Sequence, residues 1–305
     1  MRPEWTAEIS VDAKSAAALI AAQFPALAGA PVHRMAEGWD NTVYLVDGVW
    51  AFRFPRRRIA LPGVAREIEL LPRLAGRLPL AVPVPEHIGS PSVDYPWPFF
   101  GARSLPGREL AETAPADHVD LAAALGTFLR ELHDPAVAAD LGCGLPVDPM
   151  HRANPRRRGE LAETRLRELQ RRGTVGDLTA VEDLFAATAD LPPPAGEPVL
   201  VHGDLHVRHV LVGGPNDGTV TGVIDWGDVC LADPAVDLAI AYAAFDGPAR
   251  TALLEAYGTP VDREREARAR VLAVSLSAAL ADYADLDHRP ALLRESLAGL
   301  ERAVR

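Results

Sequence analysis

Apolar and polar positions recur along this chain with two different periods, and the change from one to the other divides it. Residues 12–23, DAKSAAALIAAQ, carry helical spacing behind Asp12, a side chain suited to capping a helix N-terminus. Three strand-like runs follow, PVHRMAEG, NTVYLV and VWAFRF, and Asp47-Gly48 between the last two is a strong hairpin signal. In VWAFRF, strand alternation puts Trp50, Phe52 and Phe54 on one face and Arg53 on the other. GVAREIELLPRLAGRL sets Leu70, Leu71 and Leu74 on one helical face, with Pro72 expected to perturb that helix or mark its boundary. Strand-like AVPVPEHIG and WPFFGARS come next, and LPG at 105–107 breaks the pattern. Beyond this point helices dominate. ADHVDLAAALGTFLRELH presents Leu121, Leu125, Phe128 and Leu132 as one face, and NPRRRGELAETRLRELQRRG reads as an exposed basic helix. LPPPAGEP is a stiff linker, and three or four helices follow residue 234. No internal repeat is visible. A sheet-rich first hundred residues and a mainly helical remainder predict two lobes, as a length of 305 residues also suggests.

Composition narrows the class. With 48% hydrophobic and 24% charged residues the chain is ordinary for a soluble globular protein, and no apolar run approaches the roughly 18 residues that span a bilayer. The N-terminal MRPEWTAEIS lacks a basic-then-apolar leader pattern. Cys143 and Cys230 are too few for a disulfide scaffold or zinc cluster and read as buried thiols of a reducing, cytoplasmic setting. A net charge of -11 argues against nucleic acid as a partner. That charge is lopsided: residues 1–100 balance 10 basic against 10 acidic side chains, and all the excess acid lies in the remaining 205. A pocket built there would attract a cationic small molecule; simple solubility explains the charge equally well.

The densest chemistry is in VLVHGDLHVRHVLV, residues 199–212, where His202, Asp204, His206 and His209 lie between two apolar runs. A third run, GVIDWGD, delivers Asp225. Read as strand, loop, strand, PNDG turn and strand, the segment brings Asp204 and Asp225 near one end of a hairpin. Like-charged carboxylates held together call for a cation, and acids with polar neighbours at such a tip suit Mg²⁺. A base aspartate, a metal-binding side chain five residues later and a metal-binding aspartate after the next strand is the kinase arrangement, which Asp204, His209 and Asp225 match.

On these motifs, with DPAVDLA after them, the chain resembles the aminoglycoside phosphotransferase-like family of small-molecule kinases, which share the protein-kinase fold. HGDLHVRHVLV and GVIDWGDVCLADPAVDLA are most similar to the macrolide 2'-phosphotransferases, which also carry His where most relatives have Asn. The resemblance runs from GWDNTVYLV to the C-terminal helices and is sparser over 110–195. It implies an α+β bilobal fold, with a nucleotide-binding lobe and hinge over 1–103 and a helical lobe carrying catalytic loop and acceptor site over 104–305.

Residue by residue, the resemblance implies Asp204 as catalytic base and His209 and Asp225 as ligands of Mg²⁺, with Mn²⁺ as the alternative ion. EGWDNTVY stands where the family covers the phosphates, so Gly38 and Asn41 are nucleotide-binding candidates, although an ordinary turn has the same composition. Arg53 occupies the place of the phosphate-gripping cation, since the only lysine is Lys14. Glu67 is its helix partner, with Glu69 as the fallback. WPFFGARS is the hinge whose backbone groups hold the purine, with Phe100 and Ala102 as the candidates; Phe99 and Phe100 serving as plain core is the alternative. His202, Asp233 and Asp237 brace the loop; a helix-cap role for Asp233 before Pro234 is the plainer alternative. His206 is either a phosphate or acceptor contact or a solvated loop histidine. Asp228, Tyr242, Phe245, Asp282 and Tyr283 are acceptor-site candidates.

The expected activity is phosphoryl transfer from ATP or GTP to a hydroxyl of a small, cationic molecule, a macrolide antibiotic foremost, by a cytoplasmic monomer or weak dimer without nucleic-acid or membrane partners. A housekeeping kinase of an amino alcohol, amino acid or sugar is the second reading, and a nucleotide-binding regulator without turnover the third.

Overall fold

The computed structural model describes residues 6–113, 115–142, 144–214 and 218–305. Cys143 and the PNDG turn residues 215–217 lie outside the described residues; Cys230 is buried, as expected. The chain divides into two compact units, residues 1–77 with 81–105 and residues 78–80 with 106–305.

The first unit opens with α1 (Ala13–Gln23), whose cap Asp12 accepts a hydrogen bond from Ser15 N at 2.7 Å. Strands β1 (Val32–Glu37), β2 (Asn41–Val46) and β3 (Trp50–Pro55) precede α2 (Leu61–Leu74), and β4 (Pro85–Gly89) and β5 (Phe99–Arg103) complete an antiparallel sheet of order β1-β2-β3-β5-β4. Asp47 and Gly48 turn β2 into β3 with φ of 54° and 66°, the left-handed pair that matches strand twist. Alternation along β3 sorts its side chains as anticipated. Phe52 and Phe54 join Tyr44, Tyr95 and Phe99 in one core cluster, while Arg53 lies on the other face with Phe100 and Glu67.

Pro72 lies in the last turn of α2, which runs two residues beyond it to Leu74. One expectation fails here. Phe100 and Ala102 do not offer free backbone to a purine. Strand β5 lies between β3 and β4, so ladders on both sides take up its backbone groups, and both side chains pack with Val64.

The second unit contains β6 (Arg108–Glu109), α3 (Val119–Leu132), α4 (Pro135–Leu141), α5 (Pro155–Arg171), α6 (Thr179–Thr188), β7 (Val199–Val201), β8 (Val210–Gly213), β9 (Thr219–Val223), β10 (Cys230–Ala232), α7 (Ala235–Ala244), α8 (Gly247–Tyr257), α9 (Arg263–Leu286) and α10 (Pro290–Val304). The predicted face of α3 is fully buried against α8, and Gly126 permits the approach, since a Cβ there would overlap the Leu253 carbonyl. Every residue of α7 is buried, with α9 and α10 packed upon it. Two small sheets carry the loops of interest, β6-β8-β9 and the ribbon β7-β10. The sequence pairing was therefore incomplete: β8 and β9 form the expected hairpin, but β7 pairs with β10, Val201 opposite Cys230.

Candidate active site

The loop between β7 and β8 is shaped by a buried aspartate beneath it. Asp237, in the first turn of α7, accepts hydrogen bonds from His202 N at 2.7 Å and Gly203 N at 3.0 Å, and His133 Nε2 lies 3.3 Å away. Burial by itself would raise the carboxyl pKa; the hydrogen bond from His133 and the nearby His133 and His202 outweigh it and hold Asp237 below the usual aspartate value. Gly203 has φ of 89° and no room for a Cβ, which would overlap the Asp228 carbonyl oxygen. These contacts turn the chain sharply into Asp204.

The three histidines of the loop have tautomers fixed by their backbone partners. His202 Nδ1 accepts from Asp204 N at 3.2 Å, so Nε2 carries the proton given to Ile224 O at 3.0 Å. His206 Nδ1 accepts from Arg208 N at 3.3 Å, which leaves an Nε2–H 3.7 Å from Asp204 Oδ2. His209 is reversed: its Nδ1–H donates to Asp204 O at 2.8 Å, so the lone pair sits on Nε2, 3.5 Å from Asp225 Oδ2. Asp204, His206 and His209 are close enough to suggest a three-ligand metal site. The tautomers argue against that trio and for the pair His209 Nε2 and Asp225, both of which present lone pairs.

Asp225 follows β9 in a left-handed conformation, φ 66°. It is set there by Ile224 N, which donates to His209 O at 2.9 Å, and by Trp226, whose indole Nε1 donates to Val223 O and whose ring meets His202 and Phe128. A nonglycine residue held at positive φ beside a metal-ligating candidate is strain of the kind concentrated at functional sites.

Asp204 itself is about a quarter exposed. Arg152 Nη2 binds its Oδ1 at 2.9 Å and Asp228 Oδ2 at 2.7 Å. Arg152 was missed in the sequence because it lies 52 positions before Asp204 in the stretch with no recognisable motif. Asp228, an acceptor-site candidate, is thus already engaged. His206 is a second surprise. It is buried rather than solvated, its ring centroid 3.8 Å from that of His209, and burial followed by the neighbouring His209 pushes its pKa well below 6.5.

The other candidates are divided between the two units. In the first unit, Arg53 Nη1 and Glu67 Oε1 form a buried ion pair at 2.6 Å, whereas the fallback Glu69 is exposed. Gly38 and Asn41 close the β1–β2 loop, Gly38 N donating to Asn41 O at 2.9 Å, and Arg56 Nη1 holds Gly38 O at 2.6 Å. In the second unit Asp233 accepts from Ala235 N at 2.8 Å and pairs with Arg265, which is the capping alternative with a guanidinium added. Tyr242 and Phe245, at 2% and 0% exposure, cannot line an acceptor surface. Helix α7 is buried all round, and the Tyr242 ring is packed between Arg250 and Arg270. Asp282 is bound by Arg172, and Tyr283 lies under Arg208, whose Nε contacts Glu109. A groove of about 440 Å³, lined by Val147, His151, Pro192, Pro194 and Asp233, opens at the far end of the β7-β10 ribbon from Asp204 and Asp228.

An aspartate on the β7–β8 loop, a histidine five residues on and a second acid after a β-hairpin stand together in the pattern of a kinase-like phosphotransferase. Residues 31–274 match the phosphotransferase enzyme family, and the chain belongs to it. It is similar to the GDP and kanamycin complex of APH(2")-IIia, with 25% identity and a TM-score of 0.66 over 94% of this chain and 97% of that one. It is also similar to the apoenzyme of the macrolide 2'-phosphotransferase MphH from Brachybacterium faecium, with 25% identity and a TM-score of 0.58 over 94% and 98%. A 58-residue stretch, 19% of this chain, is 41% identical to the uncharacterized protein YcbJ of Bacillus subtilis (strain 168) and spans 18% of that protein's length.

Proposed function

We propose that the protein transfers the γ-phosphoryl group of ATP or GTP to a hydroxyl of a small-molecule antibiotic, of the macrolide or aminoglycoside class. The observation that carries this reading is Asp204, with Oδ1 held by Arg152 and Oδ2 left for a substrate proton, beside the lone pairs of His209 Nε2 and Asp225. Asp204 Oδ2 takes the proton of the acceptor hydroxyl as its oxygen bonds to the γ-phosphorus, and the nucleoside diphosphate leaves. A divalent cation, Mg²⁺ or Mn²⁺, supplies charge neutralisation to the phosphate oxygens when held by His209 and Asp225. Arg53, oriented by Glu67, grips the phosphates, and Gly38 and Asn41 cover them through backbone groups. Among the described residues no helix is long and apolar enough to cross a membrane. The similar structures support the acceptor class, because one holds kanamycin with GDP and another is a macrolide 2'-phosphotransferase.

The test is a phosphate-transfer screen across macrolides, aminoglycosides and metabolic amino alcohols, run with each nucleotide. Turnover confined to amino alcohols would assign the housekeeping reading. Nucleotide binding without transfer to any acceptor would leave the regulator.

Two expected results belong to individual residues. Arg53→Ala raises the nucleotide KM roughly tenfold or more, since charged hydrogen bonds contribute about 1.5–3 kcal/mol, and Arg53→Lys recovers part of it. Normal nucleotide KM in Arg53→Ala removes the residue from the site. His209→Asn exchanges an imidazole for a hard carboxamide oxygen, so the ratio of Mn²⁺-supported to Mg²⁺-supported turnover falls roughly several-fold. Unchanged metal preference would place His209 outside the metal's ligands.

A further inference from the structure

Arg152 is a buried guanidinium beside the loop of Asp204, on a separate turn outside every motif of the sequence. Its side chain is 10% exposed, and one nitrogen, Nη2, bridges Asp204 Oδ1 and Asp228 Oδ2. Burial opposes its charge, but the two carboxylates prevail and keep it protonated.

The arginine is delivered by a turn that is fixed at both ends. Asp148 and His151 stand at φ of 34° and 51°, left-handed values that nonglycine residues rarely adopt. Asp148 holds the turn through both carboxylate oxygens, accepting from Arg152 N at 2.7 Å and Ala153 N at 3.0 Å. Its own backbone N donates to Leu231 O at 2.8 Å, and Val147 bridges to the same residue in parallel. Leu231 is in β10, opposite Leu200 of β7, and β7 runs directly into the Asp204 loop. Base and guanidinium are therefore both tied to one ribbon, the first on the loop that leaves β7 and the second on a turn bridged to β10. Their geometry is set by backbone pairing rather than by two flexible side chains finding each other. Strain retained at this turn is the mark of a position the surrounding fold over-determines.

We propose that Arg152 is the positioning residue of the base: it pins Asp204 Oδ1 and ties it to Asp228, so that Oδ2 alone faces the acceptor hydroxyl. The inference rests on the reading of Asp204 as base. It also gives Asp228 a different task from the one first assigned to it. That carboxylate completes the clamp on Arg152, and an amine on the acceptor has to find its counter-charge elsewhere.

The test compares Arg152→Ala, Arg152→Gln and Arg152→Lys with Asp204→Asn, measuring kcat, nucleotide KM and nucleotide affinity in the full chain. The expected result is a fall in kcat of roughly 10- to 100-fold for Ala and Gln, the scale of a misplaced reacting group, with nucleotide affinity near that of the parent. Arg152→Lys should turn over faster than Arg152→Ala, or added guanidinium ion should restore part of the rate of Arg152→Ala; either supports positioning. Absence of both effects overturns the proposal, as does a parental kcat in all three variants. Nucleotide affinity that falls in step with kcat across the series overturns it too, because the residue then holds the fold. Asp204→Asn separates the two levels: if it keeps its turnover, the base assignment itself fails. If it loses turnover while Arg152→Ala keeps it, only this inference does.

Discussion

Asp204→Asn lowers kcat by at least about 10²-fold, the contribution of a positioned general base, while nucleotide affinity stays close to the parent's. The substitution is nearly isosteric, so the Arg152 side and the backbone contacts of the loop have little reason to rearrange. The amide has no basic oxygen for the hydroxyl proton and presents an N–H in place of a lone pair. Steady-state kinetics with an accepted substrate, together with nucleotide titration, measure both halves of the expectation. A variant with near-parental turnover would transfer the base role to another group and remove the mechanism assigned above.

Asp237→Ala carries the second large effect, and its route is structural. The carboxylate accepts from two consecutive backbone N–H groups and faces His133, all buried. Each buried donor left without a partner costs about 1–3 kcal/mol, so roughly 3 kcal/mol or more is lost in total. For a unit of this size that is a fall in Tm of roughly 6–12 °C. Asp237→Asn fares little better, since half of its amide donates toward groups that are themselves donors. The folded carboxyl is held below its ordinary pKa, so its contribution is complete at neutral pH. It is lost as pH falls below the ordinary aspartate value of about 3.9. Differential scanning calorimetry at neutral and acid pH tests this. A Tm within a degree or so of the parent at neutral pH would show that the loop is held by something other than this carboxylate.

The sequence was most readable where chemistry and local geometry coincide. Asp12, the Asp47-Gly48 turn and the alternation along β3 each act through neighbours one to four residues away, and each is found as expected. Asp204, His209 and Asp225 were legible because a fixed spacing on a hairpin leaves few arrangements. What remained hidden depends on distant pairing. Nothing in Val199–Val201 says that its partner is Cys230–Ala232 rather than the next strand, and that ribbon is what brings Arg152 to Asp204. The burial of Tyr242 and Phe245 was likewise invisible, since Asp237 and Tyr242 interrupt the apolar run of α7 and the helices that cover it, α9 and α10, lie far along the chain. Phe100 and Ala102 were placed on the right strand, yet the strand's central position in the sheet, not its composition, decides what its backbone can bind.

The buried pair of Arg53 and Glu67 has a consequence for how this protein weathers chemical modification. Acetylation and similar acyl transfers neutralise amines, and a lysine in the place of Arg53 would be subject to them. A guanidinium does not undergo that reaction, and the chain's only lysine, Lys14, sits exposed on α1. The positive charge of the Arg53–Glu67 pair is therefore beyond the reach of acyl donors that neutralise lysines.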